Sequence, residues 1–134
     1  MNYVCYSPGT GHYLCWEQLQ HGWDGCSEKE INSNPHPIGG GDAGDFVRLF
    51  VVPGMNHCGR SPATDHFDAL TALINWVEGG QAPDQLIATV NPLNPEVPAA
   101  WSKTSARPLC VWPAIAQFQA GDLENAASFR CGMP

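Results

Sequence analysis

Phe46-Val47-Arg48-Leu49-Phe50-Val51-Val52-Pro53-Gly54-Met55-Asn56-His57-Cys58 is the stretch that decides the fold. Residues 46–52 are apolar but for one arginine, are rich in β-branched types and are stopped by Pro53-Gly54. That pattern predicts a short core strand followed by a tight turn. A strand apolar on both faces suits a parallel sheet covered by helices.

Toward the C-terminus, residues 62–79 predict a helix. Phe67, Leu70, Leu73, Ile74 and Val77 recur at spacings of three and four and form one apolar stripe. Thr64 is the expected N-cap, with Asp65 and Asp68 near the positive end of the helix dipole. Gly79-Gly80 supplies the stop, reinforced by Pro83. Leu86 to Val90 reads as a last short strand or an extended edge. Pro92, Pro95 and Pro98 then enforce turns. A short helix is expected from Pro113, presenting Ile115 and Phe118 to the core, with another turn over 125–129. Toward the N-terminus, residues 1–44 read as irregular, with a short helix around Trp16 to Gln20 and a flexible run at Gly39 to Gly41. The organisation is thus an irregular segment, 1–44, and an ordered part, 45–134. Its elements make the end of an α/β domain with an incomplete sheet and Gly/Pro-rich loops. Covering both faces of a parallel sheet needs roughly three or four more strands.

Composition narrows the function classes. A chain of 134 residues, 43% of them hydrophobic, supports one modest core. Its 14 glycines and 12 prolines argue against a bundle of long helices. With a net charge of -7 and only 6 scattered Lys and Arg, no basic patch is available for nucleic acid or anionic lipid. Nothing approaches the ~20 consecutive apolar residues of a membrane span. The 6 cysteines contain no C-x-x-C pair, which favours disulfides over structural zinc and hence a secreted or periplasmic location. The first residues carry no signal peptide, so an export signal is expected on a part of the gene product outside this sequence.

His57 follows the predicted strand and turn directly, on a stiff platform of the kind general base catalysis needs. In α/β-hydrolases the histidine comes last in the order Ser, Asp, His. Taken alone, a histidine beside a turn is more often a surface or packing residue. His57 with Asp65 and Asp68 could imitate a metal cluster, but helix-start electrostatics explains the two aspartates better.

Linked motifs change that balance. Phe46-Val47-Arg48-Leu49-Phe50 through Val52-Pro53-Gly54-Met55-x-His57-Cys58 resembles the catalytic-histidine segment of tannases and feruloyl esterases. The resemblance continues through Phe67-Asp68-x-Leu70-x-x-Leu73 and Trp76-Val77-Glu78-x-Gly80-x-Ala82-Pro83. It resumes at Arg107-Pro108-Leu109-Cys110-x-x-Pro113 and ends at Gly121-Asp122, Ala127-x-Phe129 and Cys131. It implies the C-terminal portion of an α/β-hydrolase fold with a Ser-Asp-His triad and a large inserted lid. The implied activity is hydrolysis of aromatic-acid esters of the tannin, feruloyl or terephthalate half-ester type. No cofactor and no metal are implied in these residues. By the motif match His57 is the base, Cys58 pairs with a cysteine beside the serine, and Cys110 pairs with Cys131.

Asp24 is the candidate acid, because His21-Gly22-Trp23 resembles the segment before the family's aspartate. The family has one more residue in between, and Trp23-Asp24-Gly25 suits an ordinary turn equally well. Ser27 is a poor nucleophile: Glu28-Lys29-Glu30 follows it, without the glycine of a strand-to-helix elbow. The serine, the oxyanion hole and the lid are therefore expected in a missing N-terminal part of the enzyme, and this chain alone is expected to be inactive. The alternative is a non-catalytic, secreted, disulfide-rich structural or binding module.

Overall fold

The computed structural model describes the backbone of residues 4–6 and 13–18, and both backbone and side chains of most of 47–56 and 59–134. The described elements are β1 (Val4–Tyr6), β2 (Tyr13–Gln18), β3 (Val47–Val52), α1 (Ala69–Gly79), β4 (Gln85–Thr89), β5 (Ala106–Cys110), β6 (Ile115–Phe118) and β7 (Phe129–Gly132). A 3-10 turn at Ala126–Ser128 precedes β7.

The apolar run 47–52 is a strand, β3, and it pairs in parallel with β2, from Tyr13 opposite Val47 to Gln18 opposite Val52. β1 adds an antiparallel edge whose register sets Cys5 opposite Cys15. A second antiparallel pair, β4 with β5, sets Leu86 opposite Leu109. The chain leaving β5 crosses to β3: Val111 bridges Phe50, and the Trp112 N–H donates to the Leu49 carbonyl at 2.8 Å. β6 and β7 form a third pair, with Ala116 opposite Cys131. Among the described residues, a parallel pair, antiparallel additions and one α-helix give the chain α/β character.

Phe50, Val52, Met55, Ala63, Leu73, Trp76, Leu86, Ala88 and Leu109 form one buried cluster. Burying a side chain such as Phe50 or Leu73 contributes about 1.5–3 kcal/mol each. Leu73 and Trp76 are the helix residues that face it. Trp76 also takes the Arg48 guanidinium over its ring, 5.0 Å from the centroid. A partly desolvated cation on an indole face fastens α1 to β3.

Five expectations are corrected. The helix begins at Ala69 rather than 62, because His66 pairs its backbone with Thr89 and so cannot be helical. Its N-cap is Asp68, which accepts from the Thr71 N–H at 2.9 Å, while Thr64 is buried before the helix. Leu70 and Ile74 do not join the apolar stripe; they are 55% and 43% exposed. Ile115 and Phe118 lie on a strand, β6, and both are exposed; Phe118 meets Phe129 edge-on at 5.5 Å. The segment read as a helix around Trp16 to Gln20 contains part of β2. The helix stop stands: Gly80 has φ 67° and its N–H donates to the Trp76 carbonyl at 2.9 Å.

Cys110 and Cys131 are joined by a disulfide with a Cα–Cα distance of 5.6 Å. It ties the end of β5 to β7. Arg107 adds a second tie, its guanidinium lying 4.7 Å from the centre of the Phe129 ring.

Candidate active site

The site is built where β3 ends. Val52 is fully buried, so the strand delivers a fixed end point. The Met55 N–H reaches back to the Val52 carbonyl at 3.4 Å and closes a turn over Pro53-Gly54. Gly54 has φ 78°, and a Cβ there would lie 2.5 Å from the Pro62 carbonyl oxygen. Only glycine lets the 61–63 backbone pass so close to this turn.

Asp24, His57 and Cys58, with Ser27, lie outside the described residues. The residues that flank positions 57 and 58 are described. Gly59 donates its N–H to the Asn56 carbonyl at 3.1 Å, and Asn56 donates to the Arg60 carbonyl at 3.4 Å. Gly59, Arg60 and Ser61 then follow one another with φ of 102°, 69° and 63°. For the two non-glycine residues that conformation costs about 1–2 kcal/mol each. Such residues persist where their surroundings over-determine them, and they cluster at functional sites.

The determining contacts are present. Asp65 accepts from the Arg60 N–H through Oδ2 at 2.6 Å and from the Asn91 N–H through Oδ1 at 3.3 Å. Glu96 Oε2 accepts from the Ser61 N–H at 2.8 Å. Asn94 is buried, and its Nδ2 donates to the Ser61 carbonyl at 2.9 Å. The 91–96 loop holds its own shape through side chains: Asn91 Oδ1 accepts from Leu93 N–H and Asn94 Oδ1 from Glu96 N–H. Asparagine side chains that imitate a backbone turn in this way leave the prolines free to set φ.

Sequence reasoning assigned Asp65 to the start of a helix and gave Asn94 and Glu96 no role. The signal available for the loop was the pair of Asn-Pro steps, at Asn91-Pro92 and Asn94-Pro95, which favour turns. Nothing in the spacing links that loop to Arg60 and Ser61, more than thirty residues earlier in the chain.

A cleft of about 310 Å³ opens beside Pro53, with Trp101, Arg107 and Phe129 among its walls. Because Val111 pairs with Phe50, the antiparallel β5 runs its first residues toward the carboxyl end of β3. The cleft therefore shares that edge with the Pro53-Gly54 turn. Arg107 is already engaged, its Nη1 donating to the Ala106 carbonyl at 2.8 Å, and most of the remaining lining is apolar, Trp101 and Phe129 being its aromatic members.

Comparison with known proteins places this geometry. The profile described as tannase and feruloyl esterase matches residues 28–132. The chain belongs to the tannase and feruloyl esterase family. Among its relatives, a mono(2-hydroxyethyl) terephthalate hydrolase of Piscinibacter sakaiensis is 45% identical, over 69% of this chain and 15% of that protein. A probable feruloyl esterase of Arthroderma benhamiae is 34% identical, over 72% of this chain and 18% of that protein. A crystal structure of an esterase from Aspergillus oryzae superposes with a TM-score of 0.54 at 20% identity, covering 78% of this chain and 22% of that one. The chain thus spans less than a fifth of the length of these two curated relatives.

Proposed function

We propose that the chain supplies the histidine-bearing C-terminal part of an α/β-hydrolase that cleaves carboxylic esters of aromatic acids, with His57 as general base. The observation that carries this reading is the family match running through a rigid turn at the end of β3. The buried strand end and the hydrogen bonds held by residues 56 and 59–61, on either side of the histidine in sequence, support this reading. The names of the relatives, feruloyl esterase and mono(2-hydroxyethyl) terephthalate hydrolase, point to aromatic acyl groups.

In the proposed mechanism a serine Oγ attacks the ester carbonyl while His57 takes its proton. His57 returns that proton to the departing alcohol. It then deprotonates a water, which attacks the acyl-enzyme and frees the serine. Asp24 holds the imidazole in the right tautomer and stabilises its charged form. Backbone N–H groups of an oxyanion hole stabilise the negative oxygen. The serine, the oxyanion hole and the lid lie outside residues 1–134, because Ser27 lacks the glycine context of an elbow nucleophile. Cys58 pairs with a cysteine beside that serine. The Cys110–Cys131 bridge supports a secreted or periplasmic location. Among the described residues no helix is long and apolar enough to cross a membrane.

The test is turnover of p-nitrophenyl acetate and methyl ferulate by the full-length gene product and by residues 1–134 alone. The full-length product should hydrolyse methyl ferulate, and residues 1–134 should not exceed buffer, with or without Ser27→Ala. Turnover by residues 1–134 that Ser27→Ala abolishes would make Ser27 the nucleophile. An inert full-length product would leave a non-catalytic module.

A further inference from the structure

The geometry points to Asp65, seconded by Glu96, as a positioning residue for the catalytic base. Both carboxylates receive backbone N–H groups from consecutive residues just beyond the histidine, Asp65 from Arg60 at 2.6 Å and Glu96 from Ser61 at 2.8 Å. This inference rests on the reading of His57 as the base, and it adds what holds that base in place.

The argument begins with the backbone. Arg60 and Ser61 adopt φ of 69° and 63°, values that L-residues leave when nothing holds them. Two carboxylates from different parts of the chain meet their N–H groups, and charge-assisted hydrogen bonds of this kind are about twice as strong as neutral ones. Asp65 is itself braced, because its other oxygen accepts from the Asn91 N–H and Asn94 Nδ2 lies 3.5 Å from Oδ2. Asn94 closes the ring by donating to the Ser61 carbonyl. Both polar groups of the Ser61 peptide backbone are thereby fixed by the 91–96 loop.

The second part is covalent. Position 57 follows Asn56 directly and is separated from Gly59 by one residue. Gly59 and Arg60 are bonded to Asn56 at the near end and to Asp65 at the far end. If Arg60 and Ser61 relax out of the left-handed region, the Arg60 carbonyl moves away from the Asn56 N–H, and the anchor at Asn56, the residue next to the histidine in sequence, loosens with it. A catalytic group displaced by about 1 Å loses on the order of 100-fold in rate. Asp65 needs no contact with substrate to matter at that scale.

The experiment measures kcat, KM and backbone amide exchange in the full-length gene product carrying Asp65→Ala, Asp65→Asn, Glu96→Ala or His57→Ala. Asp65→Ala should lower kcat by about 10- to 100-fold with KM within about twofold, since the defect lies in the base and not in substrate binding. The Arg60 amide should lose protection while the Thr89 amide, bonded to the His66 carbonyl, keeps it. Asp65→Asn keeps one acceptor oxygen, enough for the Arg60 N–H but not also for the Asn91 N–H, and should restore part of kcat. If Asp65→Ala does not fold, Glu96→Ala on the exposed rim carries the test, with a drop of about 3- to 10-fold expected from release of the Ser61 N–H. The proposal is overturned if kcat stays within twofold of the parent although the Arg60 or Ser61 amide has lost protection. It is equally overturned if kcat falls while those amides stay protected. His57→Ala separates the two failures. A normal rate in that variant removes the base itself, whereas a lost rate beside a normal Asp65→Ala removes only the positioning role.

Discussion

Replacing Gly54 with alanine separates two costs that the turn after β3 combines. The first is conformational: φ of 78° in a residue with a Cβ costs about 1–2 kcal/mol. The second is steric, because the new Cβ would stand 2.5 Å from the Pro62 carbonyl oxygen and 3.5 Å from its carbon. That oxygen is backbone, and the next residue, Ala63, is 1% exposed, so neither can swing aside. Forcing an atom into a packed site costs about 1–3 kcal/mol. The sum, about 2–5 kcal/mol, is a large share of the ~5–15 kcal/mol that keeps a domain folded. Gly80→Ala is the matched control: its φ is 67°, but a Cβ there meets nothing within 4 Å, so only the conformational cost of about 1–2 kcal/mol applies. Urea unfolding followed by tryptophan fluorescence reads both, with Trp76 buried in the core as a reporter. The expected order of midpoints is parent, Gly80→Ala, then Gly54→Ala well below. Equal midpoints for the two variants would refute the close approach of Gly54 to Pro62, and with it the tight turn that ends β3.

Two further outcomes are expected. Reduction of the Cys110–Cys131 bridge, or Cys110→Ser with Cys131→Ser, should cost roughly 3 kcal/mol from loop closure over a separation of 21 residues. Non-reducing peptide mapping should recover the two peptides joined, and free thiols at both sites would contradict the bridge. The Thr71 N–H holds the Asp68 carboxyl below its ordinary value. A depressed carboxyl adds stability that is present above its unfolded pKa and lost as pH falls through its folded one. Asp68→Asn should therefore flatten the loss of stability on the acid side, and an unchanged acid limb in a pH series of thermal unfolding would contradict the cap.

The sequence disclosed β3 and its turn because a continuous apolar run ended by Pro-Gly has few other readings. It disclosed the helix stop for the same local reason, Gly80 being able to take φ 67° without strain. The helix start was misread because the apolar spacing extends back to Phe67, while His66 is committed to a backbone pair with Thr89 that no local pattern announces. β6 reads as a helix because Pro113 suits a first turn and Ile115 and Phe118 are three apart. Its strand state comes from a distant partner, Ala116 facing Cys131 across the same segment the disulfide holds. β2 was hidden likewise, since its register with β3 is a long-range property. Within the site, the turn at Pro53-Gly54 that ends β3 was legible from local chemistry. The ring of Asp65, Asn94 and Glu96 around Arg60 and Ser61 was not, because it joins segments that the sequence alone leaves far apart.

The most direct test of the account is the rate of methyl ferulate hydrolysis by the full-length gene product before and after His57→Ala, with folding checked by circular dichroism. Loss of a general base lowers kcat by ~100-fold or more, and the account predicts at least that with the fold retained. A loss below about tenfold in a folded variant would contradict the assignment of His57 as the catalytic base.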